Sequence, residues 1–390
     1  MTASRIDVFL QYYKPHVSGL TNMAVVLAEA AAADGYDVHV HCVAKQGPAQ
    51  KSAVDGVTVH EYKRSFSLGR GNFSLGFLAA ALRVRKHDGI AHFHLPLPES
   101  GLFALMLRRR PMVVTYQCDA PADSAAGLAI ARALDVSHRL LIRRARATFT
   151  SSDDYAEHSR LRSLFAKVGA RGIPATSIDR AGGSPRFAVA GRRQIGFLGR
   201  PTSEKGIDVL LTALEMLPDD VVLTLAGPLD GLSEKVGYDR ARLSRLMDAG
   251  RVRSLGFLDE DDIADYYRSL DLFVLPSTNS FEAFGIVQVE AMSAGTPVVA
   301  SALPGVRTIV QTTGFGEIAA VGDPYSLAAA ITTALSTTYD AEHARSVLDS
   351  RYLPPVPERA YARVFAELSG GGGRSHRRPS TSKNCARHEQ

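Results

Sequence analysis

Glu282 and Glu290 stand eight residues apart in SFEAFGIVQVEAMSAGTPVVAS (280–301), a stretch otherwise suited to a buried core. Carboxylates accept hydrogen bonds from hydroxyl groups. LFVLPS (272–277) reads as a buried strand, TNSFEAFG as the loop leaving its carboxyl end, and IVQVEAMSA as a helix starting near Gly285. At that start the N–H groups of Phe284, Gly285 and Ile286 have no intrahelical acceptor and make an anion site. Acidic groups beside such donors suit a ligand that combines hydroxyls with phosphate, as a nucleotide sugar does. The same two glutamates would also serve as a helix cap and a surface ion pair.

Two further segments fit such a ligand. In GFLGRPTSEKG (196–206) a strand ends at Gly199 and delivers Arg200 and Lys205 into the loop ahead of the helix IDVLLTALEML. Two cations there match a diphosphate, arginine as a planar fork and lysine as a mobile point charge. In QYYKPHVSGLTNMAVVLAEAAAADG (11–35) a turn containing Pro and Gly precedes a nearly all-apolar helix, and Ser18 and Gly19 lie where backbone could approach a phosphate. The G-x-G-x-x-G pattern is absent, so a dinucleotide site has no direct support.

The elements that must position these residues are legible as short apolar runs alternating with longer helical stretches. Strands are expected at IDVFLQ (6–11), VHVHCV (38–43), IAHFHL (90–95), MVVTYQ (112–117) and ATFTSS (147–152). A second series follows at QIGFLG (194–199), VVLTLAG (221–227), VRSLGFL (252–258), LFVLPS (272–277) and PVVAS (297–301). Such alternation implies parallel α/β sheets, and two series imply two doubly wound domains. The periodicity breaks at GGSPRFAVAGRR (182–193), which divides the chain into domains 1–187 and 188–368. Ligands of open α/β sheets bind outside the carboxyl ends of the strands, so the cleft between two facing sheets is the expected site.

Composition narrows the function classes. The chain has 390 residues, long for one core, and a net charge of +5. Four of those five charges belong to the end of the chain, 369–390, where Arg374, Arg377, Arg378, Lys383 and Arg387 face only Glu389. That tail is rich in glycine and serine, nearly lacks apolar residues and is expected to be disordered; the folded part keeps a net charge of only +1, which argues against a nucleic-acid partner. No stretch of roughly 20 apolar residues and no signal-like start is present, so a soluble cytoplasmic protein is expected. Cys42, Cys118 and Cys385 are too few and too scattered for a disulfide framework or a zinc site.

The combination of YYKPHVSGLT, HFHLP, GFLGRPTSEKG, VRSLGFL, LPSTNSFEAFGIVQVEAMSAGTPVVAS and VGDPYSLAAAI resembles family 4 of the retaining glycosyltransferases, over about residues 5–335. The resemblance implies the GT-B fold: two Rossmann-like domains facing a central cleft, the first binding acceptor and the second binding nucleotide sugar, with the chain end packing back on the first. It implies that Glu282 contacts hydroxyls of the donor sugar and Glu290 the ribose. Backbone groups of Phe284, Gly285 and Ile286 would hold sugar and phosphate, Arg200 and Lys205 the diphosphate, and Gly256, Phe257 and Leu258 the base. His94 of HFHLP would lean on the donor sugar near the reacting carbon. Many members carry Gly-Gly followed by glutamate after the first strand, whereas this chain has Ser18, Gly19, Leu20 and Thr21; Gly19 is kept as a phosphate contact.

The activity expected is transfer of a sugar from a nucleoside diphosphate to a hydroxyl acceptor (glycan, lipid or small metabolite), with retention and without a metal or other cofactor. Two other readings are a nucleotide-sugar-binding regulator without turnover and a sugar-nucleotide epimerase or phosphorylase on the same architecture. His39 with His41, and His92 with His94, alternate on strands without a third metal ligand of sensible spacing. Asp259, Glu260, Asp261 and Asp262 precede IADYYRSL and are expected to cap that helix. Arg108, Arg109 and Arg110, with Arg139, Arg143, Arg144 and Arg146, make the first domain locally basic, a solvated face or a weak peripheral membrane contact.

Overall fold

The computed structural model describes residues 4–15, 19–44, 47–68, 71–120, 122, 124–228 and 238–370. Ser18 and the tail from 371 onward, Cys385 included, lie outside them.

The first half of the chain forms β1 (Arg5–Phe9), β2 (Asp37–Val43), β3 (Gln50–Val54), β4 (Val57–Tyr62), a small hairpin of β5 (Phe66–Leu68) and β6 (Gly71–Phe73), then β7 (Ile90–Leu95), β8 (Met112–Tyr116), β9 (Ala147–Thr150) and β10 (Arg171–Gly172). These build a sheet in the order β10-β9-β8-β7-β1-β2-β4-β3, parallel except for the edge strand β3. The second half forms β11 (Arg193–Leu198), β12 (Val221–Ala226), β13 (Val252–Gly256), β14 (Leu272–Leu275), β15 (Val298–Ser301) and β16 (Gly316–Ala319), parallel in the order β13-β12-β11-β14-β15-β16.

The physical reason for both sheets is the same. β7, β8, β12 and β14 are buried at every position, as parallel strands covered by helices on both faces must be, and their sequences are continuous apolar runs. The ten expected strands all form. The sequence reading missed β3 with β4, β5 with β6, β10 and β16. Of these the β3–β4 hairpin carried a signal: Asp55 and Gly56 both have positive φ, 50° and 77°, the conformation for which Asp-Gly is favoured in a two-residue turn.

Between the sheets the chain runs through an irregular connector, residues 173–192. The helix Val356–Gly370 returns to the first sheet, packing on the helix Gly19–Ala33 and on β7. Tyr361 and Phe365 are buried there, and the Tyr361 hydroxyl lies 2.9 Å from Thr115 Oγ1 of β8. Loops at the carboxyl ends of the two sheets also touch. Ser151 Oγ donates to the carbonyl of Ala283 at 2.8 Å, the Tyr155 hydroxyl to the carbonyl of Ser280 at 3.3 Å, and Arg307 pairs with Asp154 at 2.6 Å. No described helix is long and apolar enough to cross a membrane.

Arg110 does not belong to the basic surface expected for the first domain. Its guanidinium is buried, bonded to Asp7 at 2.7 Å and to the carbonyls of Gly89 and Ile90. Burial alone would raise the Asp7 carboxyl, but hydrogen bonds from His41 and Arg5 and the charge of Arg110 outweigh it and hold it well below the usual range.

Candidate active site

The loops that leave β11 and β14 carry the central pair of side chains. After β11 the chain passes Gly199 and Arg200 into a single tight turn, Ser203–Lys205, and Gly206 then starts the helix Ile207–Leu214 at φ +70°. A Cβ on Gly206 would lie 2.0 Å from the carbonyl oxygen of Pro276, so only glycine lets this loop lie against the loop after β14. Thr278 N–H donates to the Glu204 carbonyl at 2.9 Å and seals the contact. Across it the Lys205 ammonium pairs with Glu282 Oε2, which also accepts from Ser277 Oγ at 3.2 Å. Arg200 is exposed at the rim of the same loop.

Two residues beyond Phe284 the helix Ile286–Ser293 begins, with Gly285 at φ +79° as its N-cap. A Cβ there would meet Leu275 Cδ2 at 2.5 Å and Gln288 Nε2 at 2.8 Å. Buried Gln288 fixes the turn by donating to the carbonyls of Phe284 and Val306, at 2.7 and 3.1 Å. The first N–H groups of a helix have no intrahelical acceptor. Gly19, at the start of the helix Gly19–Ala33, lies beside the start of the helix Ile286–Ser293: a Cβ on it would lie 3.6 Å from Ile286 Cδ1. The starts of two helices, one from each sheet, thus approach one another.

Glu290 is buried, not at the surface, which removes the surface-pair reading. Its Oε2 accepts from the Tyr267 hydroxyl at 3.3 Å, and its Oε1 lies 3.6 Å from the guanidinium of Arg180 in the connector. Burial pushes its carboxyl up to about 7, against the lowering effect of Arg180. His94, at the end of β7, is buried with Nδ1 at 3.2 Å from Gln117 Nε2, while its Nε2 has no partner among the described residues. Burial brings the imidazole down to about 3, so it is neutral at physiological pH. Gly256 ends β13 at φ +66°, Phe257 presents a largely exposed ring and Leu258 packs into the core.

The structure therefore brings together Lys205, Glu282, Phe284, Gly285, Ile286 and Gly19. It leaves Arg200 at the rim, and places Glu290 in a cluster with Arg180 and Tyr267 that sequence reasoning missed, because those partners are distant in the chain. Ser277, five residues before Glu282 in the same quoted segment, was within reach of sequence reasoning; Gln117 carried no signal.

The acidic run does not cap its helix as expected. Asp261 makes no side-chain cap bond, Glu260 pairs with Arg180 at 2.7 Å, and Asp262 pairs with Arg186. Among the described residues no group of three or more His, Cys, Asp or Glu could hold a metal ion. Cys42 and Cys118 are buried free thiols, that of Cys118 pushed up by burial to about 12.

Comparison with known proteins identifies the family and the fold. The glycosyl transferases group 1 family model matches residues 186–347, and the glycosyl transferase 4-like domain matches residues 18–171. A D-inositol 3-phosphate glycosyltransferase of Geodermatophilus obscurus is 30% identical over 371 residues, covering 85% of this chain and 77% of that protein. A phosphatidyl-myo-inositol mannosyltransferase of Mycobacterium leprae is 29% identical over 389 residues, covering 95% of this chain and 98% of that one. Among solved structures, Anabaena Alr3699/HepE in complex with UDP-glucose superposes with a TM-score of 0.69 at 22% identity, over 93% of this chain and 99% of that chain. The chain belongs to the group 1 glycosyltransferases, family 4, and has the GT-B fold.

Proposed function

We propose that this glycosyltransferase moves a sugar from a nucleoside-diphosphate donor to a hydroxyl acceptor, with retention of configuration and without a metal. The observation that carries the proposal is the meeting of Lys205 with Glu282 beside the Gly285 helix start, where the starts of one helix from each half approach. Residues 1–187 would hold the acceptor and 188–368 the donor. The relatives act on inositol 3-phosphate and phosphatidyl-myo-inositol by name, so inositol phosphates and their lipids are the first acceptors to test.

Lys205 and Glu282 pair with each other in this structure. A donor sugar offers hydroxyls to Glu282 and a diphosphate to Lys205, so each exchanges one charge-assisted contact for another rather than losing it. As the bond between the anomeric carbon and phosphate breaks, negative charge grows on the diphosphate and positive charge on the ring. Lys205, Arg200 and the helix start stabilise the first, already oriented before reaction. Neutral His94, with Nε2 unpartnered, is suited to face the second without adding a like charge. The acceptor attacks the face from which the leaving group departs, and a leaving phosphate oxygen takes its proton. Glu290 accepts from the ribose and the ring of Phe257 lies against the base.

The two helices Ser100–Met106 and Ala125–Ile142, which pack together, expose Leu102, Leu105 and Val136, and helical spacing puts the exposed Arg132, Arg139 and Arg143 on the side of Val136. The acid on these helices, Asp135, is buried against Arg160. This face suits an anionic membrane surface from which a lipid acceptor could be drawn.

The test is a turnover assay in chelator, with a panel of nucleoside-diphosphate sugars and with inositol phosphate or phosphatidylinositol as acceptor, the anomeric configuration of product being read by NMR. A new glycoside with the donor's configuration is expected. Binding without turnover, an altered sugar formed without acceptor, an inverted product, or turnover that returns only with a divalent ion would each overturn part of the proposal.

A further inference from the structure

The connector between the two sheets does more than join them. Arg180, buried within it, donates its backbone N–H to Ser293 Oγ at 2.9 Å, and Ser293 Oγ donates to the Glu290 carbonyl at 2.8 Å. Its guanidinium is shared between two carboxylates: Glu260 at 2.7 Å and Glu290 at 3.6 Å, while its Nε has no partner among the described residues. Ile178, two residues earlier, supplies a backbone hydrogen bond to the Glu290 carboxylate. The charged and titratable groups that act on Glu290 are thus Arg180 from the connector, Glu260 ahead of the helix Asp262–Arg268, and Tyr267 on that helix.

At 3.6 Å Arg180 supports Glu290 through its charge more than through a formed hydrogen bond. A buried carboxylate next to a second carboxylate is unstable in its ionised form unless a cation compensates it. We infer that Arg180 is a positioning residue of the donor site: it favours the ionised form of Glu290 and holds it aimed as an acceptor for the ribose, and because it sits on the connector it ties nucleoside binding to the connector's position. This rests on the reading of Glu290 as the ribose acceptor. Protonated Glu290 would lose acceptor capacity, so the affinity for a nucleoside diphosphate rises as pH increases through about 7, the region to which burial moves this carboxyl. Glu260 competes for the same guanidinium and therefore holds that inflection higher than it would otherwise be.

The experiment is calorimetric titration of the full chain with uridine and guanosine diphosphates between about pH 5.5 and 9, with thermal unfolding of each variant as a check. Glu290→Gln fixes the baseline, since the ligand's own phosphate titration is common to all proteins. Arg180→Met should lower affinity about fivefold at pH 7, move the inflection upward by about one pH unit and recover by pH 9. Arg180→Lys should restore most of the affinity at pH 7. Glu260→Gln should move the inflection the other way, which a merely structural role for Arg180 would not produce. If Glu290→Gln loses affinity but Arg180→Met and Glu260→Gln follow the wild-type pH curve, the inference is wrong and the ribose reading stands. If Glu290→Gln binds both diphosphates as the wild type does, the ribose reading itself fails, and the inference with it.

Discussion

The two cations proposed to face the diphosphate stand in different surroundings, and their variants should differ accordingly. Lys205 is partly buried and paired with Glu282, whereas Arg200 is exposed. Arg200→Ala and Lys205→Ala should each lower kcat/KM by about 10²–10³, the effect of removing one preorganised group from developing charge. Arg200→Ala should leave thermal unfolding unchanged. Among the described residues Lys205→Ala leaves the Glu282 carboxylate with the Ser277 hydroxyl as its side-chain partner, and should also cost about 1–2 kcal/mol of stability, read as a lower unfolding midpoint. Wild-type kcat/KM in either variant would remove that residue from the mechanism. At this scale the sequence was informative where chemistry is local: Glu282, Gly285 and Ile286 lie in one loop and helix start. It was silent where a partner comes from elsewhere. Nothing in the type or spacing of Arg180 and Tyr267 announces that both close on Glu290, because that depends on how the connector folds over a helix more than a hundred residues away.

At the scale of elements the strands were legible because fully buried parallel strands are uninterrupted apolar runs. β3 was not, since its positions are exposed or half-exposed and QKSAV has no apolar face to read. The turns at the strand ends depend on glycine for reasons that can be separated by mutation. Gly250 and Gly206 have nearly the same φ, +67° and +70°, but a Cβ on Gly250 would meet nothing within 4 Å, whereas one on Gly206 would strike the Pro276 carbonyl at 2.0 Å. Gly250→Ala should therefore cost only the left-handed conformation, about 1–2 kcal/mol. Gly206→Ala adds displacement of the loop that holds Ser277 and Glu282. Its unfolding midpoint should fall further than that of Gly250→Ala, by about 2–4 °C for each additional kcal/mol in a domain of this size, and donor affinity should fall with it. Equal midpoints and unchanged donor binding in both variants would show that the two loops do not need to touch.

At the scale of the molecule the two sheets share more than a cleft. The helix Val356–Gly370 and the Asp154–Arg307 pair connect one half to the other, so the proposed site forms between parts already held together. The face formed by the helices Ser100–Met106 and Ala125–Ile142 belongs to the half proposed to receive the acceptor, and its exposed charges are cationic. The local basic character was legible in the sequence; that Arg110 is consumed inside by Asp7 while Leu105 and Val136 are exposed was not, because both depend on which side of each helix meets the sheet. If this face docks on membrane, the full chain should sediment with vesicles containing anionic phospholipid and not with purely zwitterionic ones, and the bound fraction should fall as salt shortens the Debye length to about 3 Å at 1 M. Each cation near an anionic surface contributes about 1 kcal/mol, or roughly fivefold in partitioning. Arg139→Gln with Arg143→Gln should then weaken vesicle binding by about 25-fold, and Val136→Asp should weaken it while leaving turnover on a water-soluble inositol phosphate intact. Equal sedimentation with both vesicle types, or binding unaffected by all three substitutions, would show that this surface meets only solvent.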